Sequence, residues 1–275
     1  MRAGELAKAL TERLSPVSDC ADFEARCLLQ HFCSLTLSDI YLDKEVERIP
    51  EEALETAVEQ RLAHRPLQYI LGKWEFMGNP FIVNENVLIP RPETELLVEC
   101  LLDSIQQSSV VYDLCSGSGC VAISVAKLTG AKVYAVEKYP QALEVLQKNI
   151  ALNSAETLEA LQWDITQAPG ADWEKADCIL SNPPYIEDAV VKTLQTEVQQ
   201  EPFAALAGGE DGLDFYRAIA SNYTDLLKPG GWLALEIGEG QESALKEIFK
   251  DLRYVRTVSD YNNIARIVIF RKEQQ

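Results

Sequence analysis

Asn182-Pro183-Pro184-Tyr185 is the stretch whose residue types most directly imply chemistry. Two prolines fix two φ angles and supply no backbone N–H, so the carbonyls around them face a pocket without competing donors. The Asn182 side chain adds an oxygen that accepts and a nitrogen that donates. Together such acceptors can hold both hydrogens of an –NH2 group. An amide nitrogen is a poor nucleophile because its lone pair is delocalised into the carbonyl. Hydrogen bonds from both N–H groups to fixed acceptors favour a pyramidal nitrogen and stabilise positive charge as it develops. No strong base is needed beforehand, since the proton becomes acidic once the nitrogen is alkylated. Tyr185 can cover the flat face of an amide. Taken alone, the four residues fit a rigid Pro-Pro turn equally well.

A second set lies upstream, in Asp113-Leu114-Cys115-Ser116-Gly117-Ser118-Gly119. Glycines between a strand and a helix let the backbone bend sharply and let a ligand approach without a Cβ in the way. The helix start beyond offers free N–H groups. About twenty residues on, Glu137 ends an apolar strand, where a carboxylate can accept both hydroxyls of a ribose. Gly117, Gly119 and Ala122 also match the G-x-G-x-x-A spacing of nicotinamide dehydrogenases. Two features favour S-adenosylmethionine instead. Asp113 before the loop suits an amino-acid ammonium and would repel a pyrophosphate, and a hydride-transfer site does not require Asn-Pro-Pro-Tyr.

These residues need a scaffold of alternating strands and helices. Apolar periodicity predicts strands over 109–115, 131–137, 158–164, 176–181, 230–238, 254–260 and 264–270. Helices are predicted over 92–105, 120–128, 140–153, 212–227 and 241–250. Such alternation implies a mostly parallel sheet covered on both faces. The last two strands must pair antiparallel, because the Tyr261-Asn262-Asn263 link is too short for a parallel crossover. Upstream, residues 21–35 and 50–64 repeat apolar side chains at helical spacing, and Met1–Leu14 reads as a first amphipathic helix. Pro50 with Glu51 and Glu52 makes a good helix opening. Residues 72–92 alternate between Gly and Asn-Pro turn signals, which predicts a β-hairpin. There Trp74, Phe76 and Phe81 read as packing residues. Glu236, inside an apolar strand, is either a functional carboxylate or a strand-end residue facing solvent.

With 275 residues, 47% of them hydrophobic, the chain can build one large or two modest domains. No apolar run is long enough to span a bilayer, and the N-terminus lacks a signal-peptide core; a cytoplasmic protein without membrane contact is expected. Seven cysteines occur without a C-x-x-C. Cys20, Cys27 and Cys33 read as buried small residues, and with only His31 and His64 no metal site is expected. The formal charge of −18 weighs against direct nucleic-acid binding. Arg61, His64 and Arg65 are the cluster from which a local basic patch could form.

The glycine loop, the acidic strand tip and Asn-Pro-Pro-Tyr resemble Rossmann-like methyltransferases that modify exocyclic or amide nitrogens. More specifically, PLQYILGKWEFMGNPFIVNENVLIPRPETE resembles the linker of protein-(glutamine-N5) methyltransferases acting on peptide chain release factors; EPFAALAGGEDGLDFYR and LEIGEGQ fit the same family. The resemblance covers essentially the whole chain. It implies a class I S-adenosylmethionine-dependent methyltransferase: an α/β Rossmann-like fold with a seven-stranded, mostly parallel sheet behind an N-terminal helical bundle. The implied layout is a substrate-recognising helical domain over 1–72, a hairpin linker over 73–91 and a catalytic domain over 92–275. It implies that Cys115 through Gly119 hold the methionine part of the cofactor, Glu137 the ribose, and Asp164 and Ile165 the adenine. Arg91, Pro92, Glu93 and Thr94 would lie near the cofactor, and Asn182 to Tyr185 would bind a substrate glutamine. Pro92, Glu93 and Glu95 serve equally as a helix start. Cys115 departs from the family pattern, which often has glycine there. The implied reaction converts S-adenosylmethionine to S-adenosylhomocysteine and methylates the glutamine of a Gly-Gly-Gln motif. A nucleic-acid amino-methyltransferase using the same motif, and a non-catalytic cofactor-binding module, are the alternatives.

Overall fold

The computed structural model describes residues 2–274. The chain divides into two compact units, one of residues 1–73 with 195–200, the other of residues 74–194 with 201–275.

The first unit is helical: α1 (Ala3–Leu14), α2 (Ala21–Cys33), α3 (Leu37–Tyr41), α4 (Glu51–Leu62) and α5 (Leu67–Leu71). Ala3, Leu6, Ala7, Leu10 and Leu14 form the buried stripe of α1 at helical spacing, and Ala21, Ala25, Leu28 and Leu29 that of α2. Cys27 and Cys33 fall beside this stripe and are only half-buried, while Cys20 is exposed at the N-cap; the expectation that all three are buried is corrected. Arg61 of α4 is 1% exposed. It pairs with Glu24 of α2 at 2.7 Å and with Glu197, from the segment that rejoins this unit, at 2.5 Å. Its guanidinium is therefore enclosed by carboxylates, and the cluster Arg61, His64 and Arg65 does not supply an open basic patch through it.

The second unit begins with the predicted hairpin, β1 (Lys73–Phe76) and β2 (Asn79–Ile82). Its turn residues Met77 and Gly78 both have positive φ, 50° and 69°, as a two-residue hairpin turn of matching twist requires. The hairpin packs into this unit's core. Phe76 and Phe81 meet edge to face at 6.1 Å and lie buried among residues such as Leu97 and Ile123. Asn149 clamps β2, accepting from Ile82 N at 2.6 Å and donating to Ile82 O at 3.0 Å.

Seven strands follow: β3 (Val110–Leu114), β4 (Lys132–Glu137), β5 (Leu158–Gln162), β6 (Ala176–Ser181), β7 (Leu227–Glu236), β8 (Arg253–Ser259) and β9 (Ala265–Arg271). Their order is β5-β4-β3-β6-β7-β9-β8. The first five are parallel, and β9 runs antiparallel to β7 and β8. The helices are α6 (Pro92–Glu99), α7 (Cys120–Thr129), α8 (Pro140–Asn153), α9 (Asp188–Val191), α10 (Phe203–Leu206), α11 (Asp214–Tyr223) and α12 (Glu242–Ile248). This is a Rossmann-like α/β architecture, a mostly parallel sheet with helices on both faces. Two apolar layers sandwich the sheet. Val111, Leu180 and Ala234 face one, with α6 and α7; Tyr112, Ile179 and Leu235 face the other, with α11 and α12.

Two predicted helices are shorter than expected. The helix over 92–105 stops at Glu99, where Arg256 donates to the Cys100 carbonyl at 3.0 Å; Leu101 and Ile105 then turn into the core around a 3-10 turn. The helix over 212–227 gives way after Tyr223 to a 3-10 turn, and β7 already begins at Leu227. Among the described residues no helix is long and apolar enough to cross a membrane.

Candidate active site

β3 and β6 are adjacent parallel strands near the middle of the sheet, and their carboxyl ends carry the two motifs. Asp113 lies level with Ala135 of β4 and Leu180 of β6. It faces the α7 layer and is 2% exposed, and its Oδ2 accepts from Ala122 N of α7 at 3.2 Å. Burial pushes its carboxyl up to about 7, against hydrogen bonds from Ser116 and Ala122 that favour the charged form. A carboxylate enclosed this way gains from a cationic neighbour.

The loop after β3 leaves the strand through Cys115 with φ +63°, then turns at Gly117 (+53°) and Gly119 (+82°). A left-handed residue costs roughly 1–2 kcal/mol unless it is glycine, which explains why glycine suits position 115. Replacing Cys115 by glycine is expected to leave stability within about 1 kcal/mol, because relief of strain is offset by lost burial and a freer unfolded chain. Cys115→Val, β-branched at the same φ, should cost about 2 kcal/mol or more in urea unfolding. A neutral valine variant would show that the loop is not held left-handed here.

Glu137 at the tip of β4 is buried and ties the loop down. Its Oε2 accepts from Gly117 N at 2.9 Å and its Oε1 from Tyr139 N at 2.8 Å. Burial raises its pKa despite these bonds. Each oxygen keeps a second lone pair for a further donor. Beyond β5, Asp164 accepts from the Thr166 amide at 3.0 Å and pairs with Lys138 at 2.9 Å; its pKa is lowered, the Lys138 and Thr166 bonds outweighing desolvation, so it is held ionised.

A cavity of about 220 Å³ opens over these strand ends. Of the residues singled out in the sequence, its wall contains Arg91, Thr94, Asp113, Cys115, Ser116, Gly117, Ser118, Glu137, Asp164, Ile165, Asn182 and Pro184. Gly119, Pro92, Glu93, Pro183 and Tyr185 are not on that wall. Gly119 is the N-cap of α7, and a Cβ there would lie 2.2 Å from Leu146, so this glycine also secures helix packing. Pro92 opens α6 at its first turn.

Tyr185 turns away from the cavity, its hydroxyl 3.4 Å from Glu236 Oε1 and its carbonyl accepting from Gln241 Nε2 at 2.9 Å. Asn182 is half-buried and donates from Nδ2 to Thr94 Oγ1 at 3.2 Å, leaving Oδ1 for another partner. Glu236, level with Ile267 at the end of β7, is 3% exposed; the reading of it as a solvent-facing strand end is corrected.

Sequence reasoning missed two contributions. Glu201 is buried, accepts from Ile89 N at 3.0 Å and pairs with Arg91, so it fixes the extended stretch that leads past the cavity into α6. Its place at the head of EPFAALAGGEDGLDFYR was the available signal. Trp163 and Phe215 add apolar wall, which their places in a predicted strand and in the GLDFYR stretch did not by themselves reveal.

The residues fit an S-adenosylmethionine-type group. Carboxylates outnumber cations on the wall, Glu85, Asp113, Glu137 and Asp164 against Arg91 and Lys138, which suits a cationic ligand and opposes a dinucleotide pyrophosphate. No atom lies within 4 Å of where a Cβ on Gly117 would sit, so the backbone is open to close approach.

Comparisons with known proteins agree with this architecture. The Methyltransferase small domain family matches residues 92–264, and the PrmC N-terminal domain family matches residues 5–72. A release factor glutamine methyltransferase of Geobacter sulfurreducens is 39% identical over 254 residues, spanning 90% of this chain and 88% of the relative. One of Moorella thermoacetica is 41% identical over 261 residues, spanning 91% and 92%. Among solved structures, a methyltransferase from Pyrococcus furiosus is similar with a TM-score of 0.55 at 18% identity, over 78% of this chain and 98% of that one. Trm5 of Methanocaldococcus jannaschii in complex with adenosine gives 0.51 at 19%, over 74% and 56%. At these identities the structural likeness speaks for the fold alone.

Proposed function

The chain belongs to the family of release factor glutamine methyltransferases, and we propose that it methylates the side-chain amide nitrogen of the glutamine in the Gly-Gly-Gln motif of a peptide chain release factor, using S-adenosylmethionine. When bound, that cofactor supplies an electrophilic methyl group on a sulfonium. The observation that carries the reading is that Asn182 and Pro184 share one cavity wall with Asp113, Gly117 and Glu137. Cofactor-holding groups and amide-holding groups thus converge on a single space.

The roles of the chain's own groups follow from their chemistry. Asp113 would meet the ammonium end of the cofactor, Glu137 would accept from ribose hydroxyls with its free lone pairs while holding Gly117, and ionised Asp164 would accept near the adenine. Asn182 Oδ1, with a backbone carbonyl of the Asn182–Pro184 stretch, would accept the two amide hydrogens of the glutamine. As carbon–nitrogen bond formation draws the lone pair out of conjugation, these acceptors stabilise the charge growing on nitrogen. The surplus proton then passes from the strongly acidic N–H to solvent water. A pocket for one amide does not distinguish among the many glutamines of a cell, so the helical unit is assigned to hold the surrounding release factor. No open basic patch around Arg61 favours a nucleic-acid substrate.

Incubation of the chain with a purified full-length release factor and methyl-labelled cofactor tests the reaction. Label should appear on the glutamine of the Gly-Gly-Gln tripeptide by mass spectrometry. Glu137→Ala should weaken cofactor affinity by about 1–3 kcal/mol in calorimetry. Label found on nucleic acid, or tight NAD binding in its place, would overturn the proposal.

A further inference from the structure

Asn182 and Pro184 lie on the cavity wall, and the far end of their motif is enclosed by two loops. Pro183 and Pro184 have no backbone N–H, so the placement of this stretch depends on what donates to its carbonyls. At its start, Asn182 Nδ2 donates to Thr94 Oγ1 at 3.2 Å. At its end, Tyr185 O accepts from Gln241 Nε2 at 2.9 Å. The chain then pairs with the 206–212 loop: Ile186 N donates to Leu206 O at 3.0 Å and Gly208 N to Ile186 O at 2.8 Å. A Cβ on Gly208 would lie 2.7 Å from Pro184 O, and one on Gly212, whose φ is +71°, 2.3 Å from Tyr185 O. That loop is therefore seated directly against the motif.

Gln241, the half-buried N-cap residue of α12, joins these segments. Its Nε2 donates to Tyr185 O and, at 3.3 Å, to Gly212 O. Its Oε1 accepts from Gly238 N at 2.9 Å. Two carbonyls accept only from the nitrogen end, and a backbone N–H donates only to the oxygen end, so the side-chain amide has one workable orientation. Tyr216 does not compete for it: its hydroxyl is 3.5 Å from Oε1 but donates to the Glu236 carbonyl at 2.7 Å. One side chain thus ties together the Asn182 motif, the 206–212 loop and the turn that follows β7.

We infer that Gln241 is a positioning residue for methyl transfer, fixing the Tyr185 carbonyl so that the Asn182 motif keeps its place over the cavity. The inference rests on the proposed reaction for its consequence, while the hydrogen bonds stand without it. Both prolines have fixed φ, so a displacement of Tyr185 is carried back toward Asn182 rather than absorbed within the stretch. Misplacing a reacting group by about 1 Å can cost about 10²-fold in rate, so even a partial release of the motif should be visible in turnover. Cofactor binding should be spared. Gln241 is not on the cavity wall, and its hydrogen bonds go to none of Asp113, Gly117 and Glu137.

The test compares the native chain with Gln241→Glu, Gln241→Lys and Gln241→Met at saturating cofactor with full-length release factor. Glutamate keeps the acceptor for Gly238 N but turns an oxygen on the two carbonyls. Lysine keeps a donor for the carbonyls and gives up Gly238. Methionine, of similar length and uncharged, gives up both. Expected are roughly tenfold losses of kcat in the glutamate and methionine variants, the scale of one lost hydrogen bond, and a several-fold smaller loss with lysine. Cofactor affinity should stay within about threefold of native in all three. In an Asn182→Ala background the methionine substitution should cost less than about threefold, since both changes act on one set of acceptors. In nitrogen-15 spectra the Gln241 side-chain amide should resist exchange in the native chain, and the Asn182 side-chain signal should shift in the glutamate and methionine variants. A residue that only shapes the turn after β7 would be replaced better by glutamate than by lysine. That order, losses that multiply in the Asn182→Ala background, or a freely exchanging Gln241 amide would overturn the inference. If the methionine variant does not fold, the order of glutamate and lysine decides. Absence of native turnover on the release factor would instead count against the proposed reaction, and the two amide signals would still decide whether Gln241 holds the motif.

Discussion

Asn182→Ala is expected to lower turnover by about 10²–10³-fold at saturating substrate, as loss of one oriented transition-state acceptor does, while cofactor affinity shifts by less than about threefold. The split follows from what the side chain touches. Asn182 reaches Thr94 with its nitrogen and leaves its oxygen to the cavity, whereas the loop and β4 tip are held by Asp113 and Glu137. The alanine variant keeps these groups and loses the acceptor for the reacting amide. Asn182→Asp should fare no better. An oxygen would replace the Nδ2 donor facing Thr94 Oγ1, and the variant adds a negative charge to a wall already rich in carboxylates. Single-turnover rates with pre-bound cofactor measure this directly. Near-native rates in the alanine variant would remove Asn182 from the chemistry.

Asp113→Asn is expected to uncouple cofactor binding from stability. Removing one partner of a buried charge pair costs about 3–5 kcal/mol, so affinity for S-adenosylmethionine should fall by at least about 100-fold. Without cofactor the same substitution should stabilise the chain above pH 7. The native carboxyl titrates at about 7 when folded, against an ordinary value of 3.8. Between those values the unfolded chain has released a proton that the folded chain retains, so stability falls as pH rises through this window. At roughly 1.4 kcal/mol per pH unit the ceiling on that loss is about 4 kcal/mol. Asparagine does not titrate, so the unliganded variant should gain at pH 8 and gain little at pH 4. Native cofactor affinity should weaken as pH falls below 7, and the variant should lose this dependence. Calorimetry and thermal melts at pH 8 and 5.5 supply both readings. An asparagine variant that binds cofactor within about threefold of native would rule out the ammonium role.

The residues best read from sequence are those whose role is local. The strand–loop–helix around Asp113 and the rigid Asn182 motif announce themselves, because glycine and proline constrain the backbone within a few residues. The seven-stranded sheet follows from periodicity and one short link. What stayed hidden depends on neighbours far along the chain. Glu236 sits in an apolar run whose pattern says nothing of which face it takes, and so its burial was not legible. Glu201 acquires meaning only through Ile89 and Arg91, more than a hundred residues earlier. The two shortened helices failed for a similar reason: a distant arginine satisfies the Cys100 carbonyl, and an incoming strand claims Leu227.

The return of residues 195–200 to the helical unit bears on how the chain acquires its structure. Arg61 meets Glu24 across 37 residues but Glu197 across 136. Loop closure grows with the logarithm of length, so the second contact costs about 1 kcal/mol more to close than the first. During synthesis the amino-terminal helices emerge first and can collapse around Leu28, Leu29 and Val58, yet Arg61 waits with one carboxylate short until residue 197 clears the ribosome. By then β3 to β6 have also been made. The helical unit is thus first to start and late to finish, and its last ion pair closes after half of the central sheet is already available for pairing.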